Sequence, residues 1–158
     1  GQNKKYHHEI IGCNSRLDSI QAAILNIKLN YLDSYISARN KMALNYDEAF
    51  SRTSELSIPK RQFNSTHVFH QYTIQIQPEI RDNLIGYLKE YSIPTNVYYP
   101  VPLYKQKAFS KYVKNGFEIE NIERLCKSVL SLPIHTEYEN SSQEIIINRI
   151  KLFLSNLD

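Results

Sequence analysis

Tryptophan is missing from the 158 residues, methionine occurs once and glycine only four times. So little glycine excludes a Gly-rich phosphate cradle, and neither GxGxxG nor GxxxxGK[ST] occurs. Two cysteines, Cys13 and Cys126, cannot build a disulfide framework, so a reducing cytoplasm is the expected compartment. No apolar run approaches the roughly 18 residues that span a bilayer, and no signal-like h-region opens the chain, so no membrane partner is expected. The net charge of +3 is too small and too dispersed to argue for nucleic acid. What is present is 42% hydrophobic and 22% charged residues, with twelve tyrosines. That composition and length fit one globular domain with a real core.

Apolar residues at Leu17, Ile20, Ile24, Ile27, Tyr31 and Tyr35 recur every three or four positions, which is one face of a helix. The pattern continues through Ala38, Met42, Tyr46, Ala49 and Phe50. A break near Asn30 is expected, giving two helices, with Asn14 or Ser15 capping the first. From Val68 to Ile76 the period becomes two, which predicts a strand ended by Pro78. Ile80, Leu84, Leu88 and Tyr91 return to helical spacing. A second strand is expected over Thr95–Tyr99, a helix through Ile119, Ile122, Cys126 and Val129, and a short extended Leu130–Leu132. Ser141-x-x-Glu144 reads as a capping box ahead of a last helix carrying Ile146, Ile150, Phe153 and Leu157. The expected class is α+β, a small, mainly antiparallel sheet flanked by helices.

Residues that could carry chemistry are few. His7-His8-Glu9 could hold a metal, but adjacent histidines diverge and no third ligand follows, so a surface pair is the simpler reading. Cys13 and Cys126 lack the basic neighbours of a reactive thiolate, and burial is expected for both. His70 falls on the apolar face of the first strand, where a hydrogen-bonded core histidine is the simpler reading than a catalytic one. Lys105, Lys107, Lys111 and Lys114 read as a solvated face rather than a nucleic-acid patch. Tyr98-Tyr99-Pro100-Val101-Pro102-Leu103-Tyr104 places aromatic hydroxyls around rigid prolines. That segment is either a ligand rim or a stiff loop packed on a partner.

The run Gly12-Cys13-Asn14-Ser15-Arg16-Leu17 through Ile20-Gln21-Ala22-Ala23-x-Leu25 resembles the G-x-N-x-R-L-x-x-I-Q-A-A-x-L stretch of the DegT/DnrJ/EryC1/StrS family of pyridoxal-phosphate-dependent nucleotide-sugar aminotransferases. The likeness continues at Lys28-Leu29, Arg39, Tyr46, His70-Gln71-Tyr72 and Ile93-Pro94-Thr95. It ends with Tyr99-Pro100-x-Pro102-Leu103, Glu123 and Leu130-Ser131-Leu132-Pro133-Ile134-His135. Each string is weak alone; their ordered succession is specific. Two departures are Tyr104, where the family usually has His, and Glu120, where it usually has Pro.

The resemblance implies a C-terminal portion only. Residues 1–14 would be a connecting segment, and 15–158 the C-terminal small domain of a fold-type-I aminotransferase, with the large cofactor domain absent. None of the twelve lysines lies in the context of the family's imine-forming lysine, so no catalytic residue is assigned. The resemblance implies cofactor-phosphate roles for Asn14 and Arg16 across a dimer interface, although Asn14 could equally be a helix cap. It implies substrate contacts for Tyr6 and Tyr99, and an altered one for Tyr104. The implied reaction aminates a nucleotide-linked keto-sugar, with glutamate as donor. Its partners would be an N-terminal pyridoxal-phosphate domain and a second subunit of a homodimer. The isolated chain would be inactive and would not hold the cofactor stably. Two alternatives are a non-catalytic interaction module from a vestigial or split gene, and a DNA-binding regulator. No metal is implied.

Overall fold

The computed structural model describes residues 1–114 and 116–157. In chain order they form β1 (Gln2–Lys4), β2 (His7–His8), α1 (Ser19–Leu29), α2 (Leu32–Phe50), β3 (Leu56–Ser57), β4 (Tyr72–Ile76), α3 (Pro78–Glu90), α4 (Glu120–Ser128), β5 (Val129–Leu132) and α5 (Asn140–Ser155). Two short 3-10 turns, Leu103–Lys105 and Lys107–Tyr112, lie between α3 and α4. The α+β expectation holds: β4 is the middle strand of an antiparallel sheet ordered β3-β4-β5, and β1-β2 is a separate antiparallel hairpin. No described helix is long and apolar enough to cross a membrane.

Strict alternation decides which face of β4 is buried. Tyr72, Ile74 and Ile76 point into the core, paired in register with Leu132, Leu130 and Leu56. Tyr46 and Phe50 of α2, Leu84 and Leu88 of α3 and Ile150 of α5 pack with them. Gln143 locks α5 to α2, donating to the Met42 carbonyl (2.7 Å) and accepting from Asn45 (2.9 Å). A buried amide whose two ends are both satisfied specifies one packing of these helices.

The break between α1 and α2 falls at Asn30–Tyr31, as the pattern indicates. The helix start differs. Asp18, not Asn14 or Ser15, caps α1: its Oδ1 accepts from Gln21 N (2.8 Å), while Gln21 Oε1 accepts from Leu17 N (2.6 Å). Asp18 and Gln21 thus satisfy two backbone N–H groups at the helix start, with Gln21 reaching the residue before the cap; the cap itself lies four residues beyond Asn14. The apolar stripe of α1 is exposed rather than buried; Ile20 is 75% and Ile24 51% accessible. Amphipathic spacing identifies a helix but not what it packs against.

Four further expectations are corrected. The first strand begins only at Tyr72, because Phe69 turns into the left-handed region (φ 45°) to bury its ring, which leaves His70 exposed. The polar side of His70 serves through its carbonyl, to which Arg39 donates (3.1 Å). Thr95–Tyr99 is not a strand: only Asn96 pairs, with Ser131, before the chain turns away with Tyr98 and Tyr99. The last helix starts at Asn140, so Ser141 is inside it and cannot cap it. Cys13 is exposed, while Cys126 is half-buried with its thiol pKa raised, chiefly by burial. Among the described residues no cluster of three His, Cys, Asp or Glu could hold a metal. In the run from Lys105 to Lys114, Lys105 pairs with Glu118 and Glu123, Lys107 with Glu9, and Lys111 lies over the Tyr112 ring.

Candidate functional site

The segment 1–14 carries the β1-β2 hairpin. Its β1-β2 hairpin turns at Tyr6, which adopts a left-handed φ of 67° despite its side chain. Tyr6 N donates to Gln2 Oε1 (3.0 Å), closing the turn. The hairpin is then fixed from a distance by Gln106. That buried amide donates from Nε2 to the Tyr6 carbonyl (2.8 Å) and accepts at Oε1 from His8 N (2.8 Å). A residue held in a sparsely populated backbone region persists only where its surroundings fix it.

What this achieves is the placing of one ring. Tyr6 meets Tyr98 edge-on (centroids 5.8 Å, 73°) and Tyr99 likewise (5.4 Å, 82°), and Tyr98 and Tyr99 stand at 75° to each other. Three nearly perpendicular rings make a corner, an arrangement that aromatic quadrupoles favour. Burial together with the Tyr6 neighbour raises the Tyr98 pKa. Behind the corner is a cavity of about 590 Å³. Its floor is Ile122, Leu125 and Cys126 from α4 with Val129 from β5, and its outer wall is Val101, Pro102 and Leu103.

Of the five residues singled out from sequence, the structure brings Tyr6 and Tyr99 together at this cavity. Tyr104 is turned elsewhere. Its hydroxyl donates to Glu123 and accepts from Ile119 N (3.1 Å), pinning the proline loop to the start of α4. Burial and the Glu123 carboxylate raise its pKa. Asn14 and Arg16 lie outside the cavity, exposed on the irregular stretch before α1. With Asp18 holding the cap, the capping role for Asn14 falls away. Sequence reasoning missed Gln106 and the α4 floor. Gln106 sits between two lysines with nothing local to mark it as buried, and its partners lie about a hundred residues away.

A covalently held pyridoxal phosphate needs a lysine, and its phosphate needs donors or cations. Among the described residues lining the cavity none is Lys or Arg, and the Gln106 amide is already engaged. Without a lysine the cavity does not fit a covalently held cofactor.

Against known proteins, the model of the DegT/DnrJ/EryC1/StrS aminotransferase family matches residues 1–151. The chain is 38% identical over 155 residues to a pleiotropic regulatory protein of Geobacillus stearothermophilus, covering 97% of this chain and 41% of that protein. It is 34% identical to the dTDP-3-amino-3,6-dideoxy-alpha-D-galactopyranose transaminase of Aneurinibacillus thermoaerophilus, again over 97% and 41%. The crystal structure of DesV from S. venezuelae, in complex with a ketimine intermediate, superposes with a TM-score of 0.81 at 30% identity, covering 98% of this chain and 41% of that one. The chain thus spans about two fifths of the length of these relatives. The ordered motifs, the small antiparallel sheet and the match over residues 1–151 make this chain a member of the DegT/DnrJ/EryC1/StrS aminotransferase family.

Proposed function

We propose that this chain is the C-terminal small-domain part of a pyridoxal-phosphate-dependent aminotransferase that aminates a nucleotide-linked keto-sugar, with glutamate as donor. The observation that supports this reading is the tyrosine-rimmed cavity, which would offer rings and hydroxyls to a sugar and has no lysine among its described lining residues. A cofactor-binding domain, on the same polypeptide or another, would supply the electron sink that transamination requires. The chain's own residues would do the rest. The rings of Tyr6 and Tyr99 offer faces and hydroxyls to a sugar, and the apolar floor excludes water. Asn14 and Arg16, exposed ahead of α1, would reach the cofactor phosphate of a neighbouring subunit as neutral and charged donors. Tyr104 would act only by holding the loop that carries Tyr99. The exposed apolar face of α1 would be covered by the cofactor domain or by the second subunit of a homodimer.

The test is a chimera in which this chain replaces the matching part of the Aneurinibacillus transaminase. It should retain pyridoxal phosphate through dialysis and aminate a dTDP-linked keto-sugar at the expense of glutamate. In that chimera Asn14→Ala should weaken cofactor binding roughly ten- to a hundred-fold, the worth of one hydrogen bond to a charged group. A folded chimera that keeps its cofactor but turns over no keto-sugar would refute the reading. Unchanged cofactor affinity in Asn14→Ala would remove that residue from the site.

A further inference from the structure

We propose that a cleft between the α1–α2 junction and two loops of the core binds a phosphate group, and that the bound group ties α1 to the core. The proposal is independent of the sugar aminotransferase reading and of the tyrosine cavity, with which the cleft shares no lining residue.

The cleft has a volume of about 430 Å³. One wall is a helical face that continues across the break at Asn30–Tyr31, with Lys28 of α1 followed by Leu32, Tyr35, Ile36 and Arg39 of α2. The opposite wall is Val68 and His70 from the turn before β4, and His135, Thr136 and Glu137 from the loop after β5. Its charges are unevenly matched. Lys28 and Arg39 are cations, and Glu137 is the single carboxylate. Glu137 already accepts from the Thr136 hydroxyl (3.2 Å), while Lys28 has no ion pair among the described residues.

The neutral donors follow the same bias. Arg39 spends Nη1 on the carbonyls of Phe69 (3.2 Å) and His70 (3.1 Å), which fixes the guanidinium plane and leaves Nε and Nη2 unengaged among the described residues. His135 accepts at Nδ1 from Glu137 N (3.1 Å), so its neutral ring carries the proton on Nε2. His70 is turned out to the cleft by Phe69, whose left-handed φ of 45° buries one ring and exposes the next. Such a conformation in a bulky residue persists only where its surroundings enforce it. Phosphate oxygens only accept, and they carry up to two charges, so fixed N–H donors beside two cations suit them. A cationic ligand would meet Lys28 and Arg39 with Glu137 alone to hold it. Leu32, Ile36, Val68 and the Tyr35 ring leave an apolar side, where the organic part of a phosphate ester would rest. Because α1 has no buried residue of its own, a ligand shared by Lys28 and the core loops would hold it in place.

The experiment is a titration of this chain at constant ionic strength, followed by amide chemical shifts and amide exchange. Its probes are inorganic phosphate and phenyl phosphate, with sodium chloride as the control. Both phosphates should shift Lys28, Arg39, His70 and Glu137 and leave Tyr6 and Val129 in place. At a phosphate concentration ten times its Kd, exchange at Ile27 and Lys28 should slow about ten-fold. Arg39→Lys keeps the charge but loses the planar fork, and should weaken binding about ten-fold. Its exchange at Ile74 and Ile150 should stay as in the wild type, so that the loss reports on the site and not on the fold. Lys28→Gln, at an exposed position, should weaken binding about three-fold. Tighter binding of phenyl phosphate would assign the site to a phosphate ester, and equal binding to free phosphate. Shifts that chloride reproduces, shifts confined to other residues, or unchanged affinity in both variants would overturn the phosphate site. Binding without slower exchange at Ile27 and Lys28 would overturn the tie to α1.

Discussion

Glu123 takes two donors on one carboxylate, the Tyr104 hydroxyl and the Lys105 ammonium (2.7 Å). The Lys105 hydrogen bond, and after it that of Tyr104, hold its pKa below the usual glutamate range. Lys105 is raised in turn, chiefly by Glu123. A carboxylate depressed by folding contributes stability that is present above its unfolded pKa and lost as the pH falls through the folded one. A lysine raised by folding contributes stability that is present below its unfolded pKa and lost as the pH rises through the folded one. The melting temperature of the wild type should therefore exceed that of Glu123→Gln at neutral pH, and the two should converge in acid and in strong alkali. Thermal melts across pH check this; a gap that persists undiminished in acid would show that the carboxylate charge is irrelevant. The partners of Tyr104 illustrate a limit of sequence reading. Its hydroxyl goes to residues fifteen and nineteen positions away, across a segment with no periodic pattern, so nothing local distinguishes an anchor from a ligand contact.

At the scale of elements, the hairpin is the sharpest case of structure specified from afar. β1 and β2 are three and two residues long, too short to be stable alone, and Gln106 supplies two of the hydrogen bonds that hold them. Gln106→Ala should release the hairpin without unfolding the core. Two hydrogen bonds at about 0.5–1.5 kcal/mol each correspond to roughly ten- to a hundred-fold faster amide exchange at His8, with Ile74 and Leu130 unchanged. Unaltered exchange at His8 would mean that the rings of Tyr98 and Tyr99 suffice. Elements with strong internal period, α2, α3 and α5, were legible in the sequence because their own residues form the buried face, whereas β5, buried on both faces, takes in Val129, which the helical spacing assigns to the preceding helix. The hairpin and the turn into Tyr98 and Tyr99 were not, because a lone amide and a corner of rings set them. Phe69 shows the same limit in miniature: a buried ring took the backbone out of the strand register and reversed the expected side of His70.

For the whole molecule, burial divides the apolar residues into two populations that sequence pattern treats alike. Ile150 is fully buried in the core, whereas Ile24 of α1 is 51% exposed. Ile150→Ala should cost about 2–5 kcal/mol in urea denaturation, through lost transfer energy and the cavity left behind. Ile24→Glu should stay within about 0.5 kcal/mol in the isolated chain. In the chimera, by contrast, the same Glu would meet the surface that covers α1 and should impair assembly, as measured by the yield of cofactor-loaded protein. A large loss of stability from Ile24→Glu in the isolated chain would mean that α1 is part of the core after all.

The division runs through α2 itself, and it has a mechanical meaning. From Met42 onward the helix is clamped by the sheet and by α5, whereas Leu32, Asp33 and Ser34 at its start are exposed. It is a cantilever with α1 at the free end. From Leu32 to Met42 the overhang is about 15 Å, so a tilt of about 5° at the clamp swings the tip by about 1 Å. The Arg39 guanidinium, bonded to the carbonyls of Phe69 and His70, is a stay partway along that beam. Cutting the stay would loosen the aim of α1, and with it the stretch bearing Asn14 and Arg16, while leaving the clamp untouched.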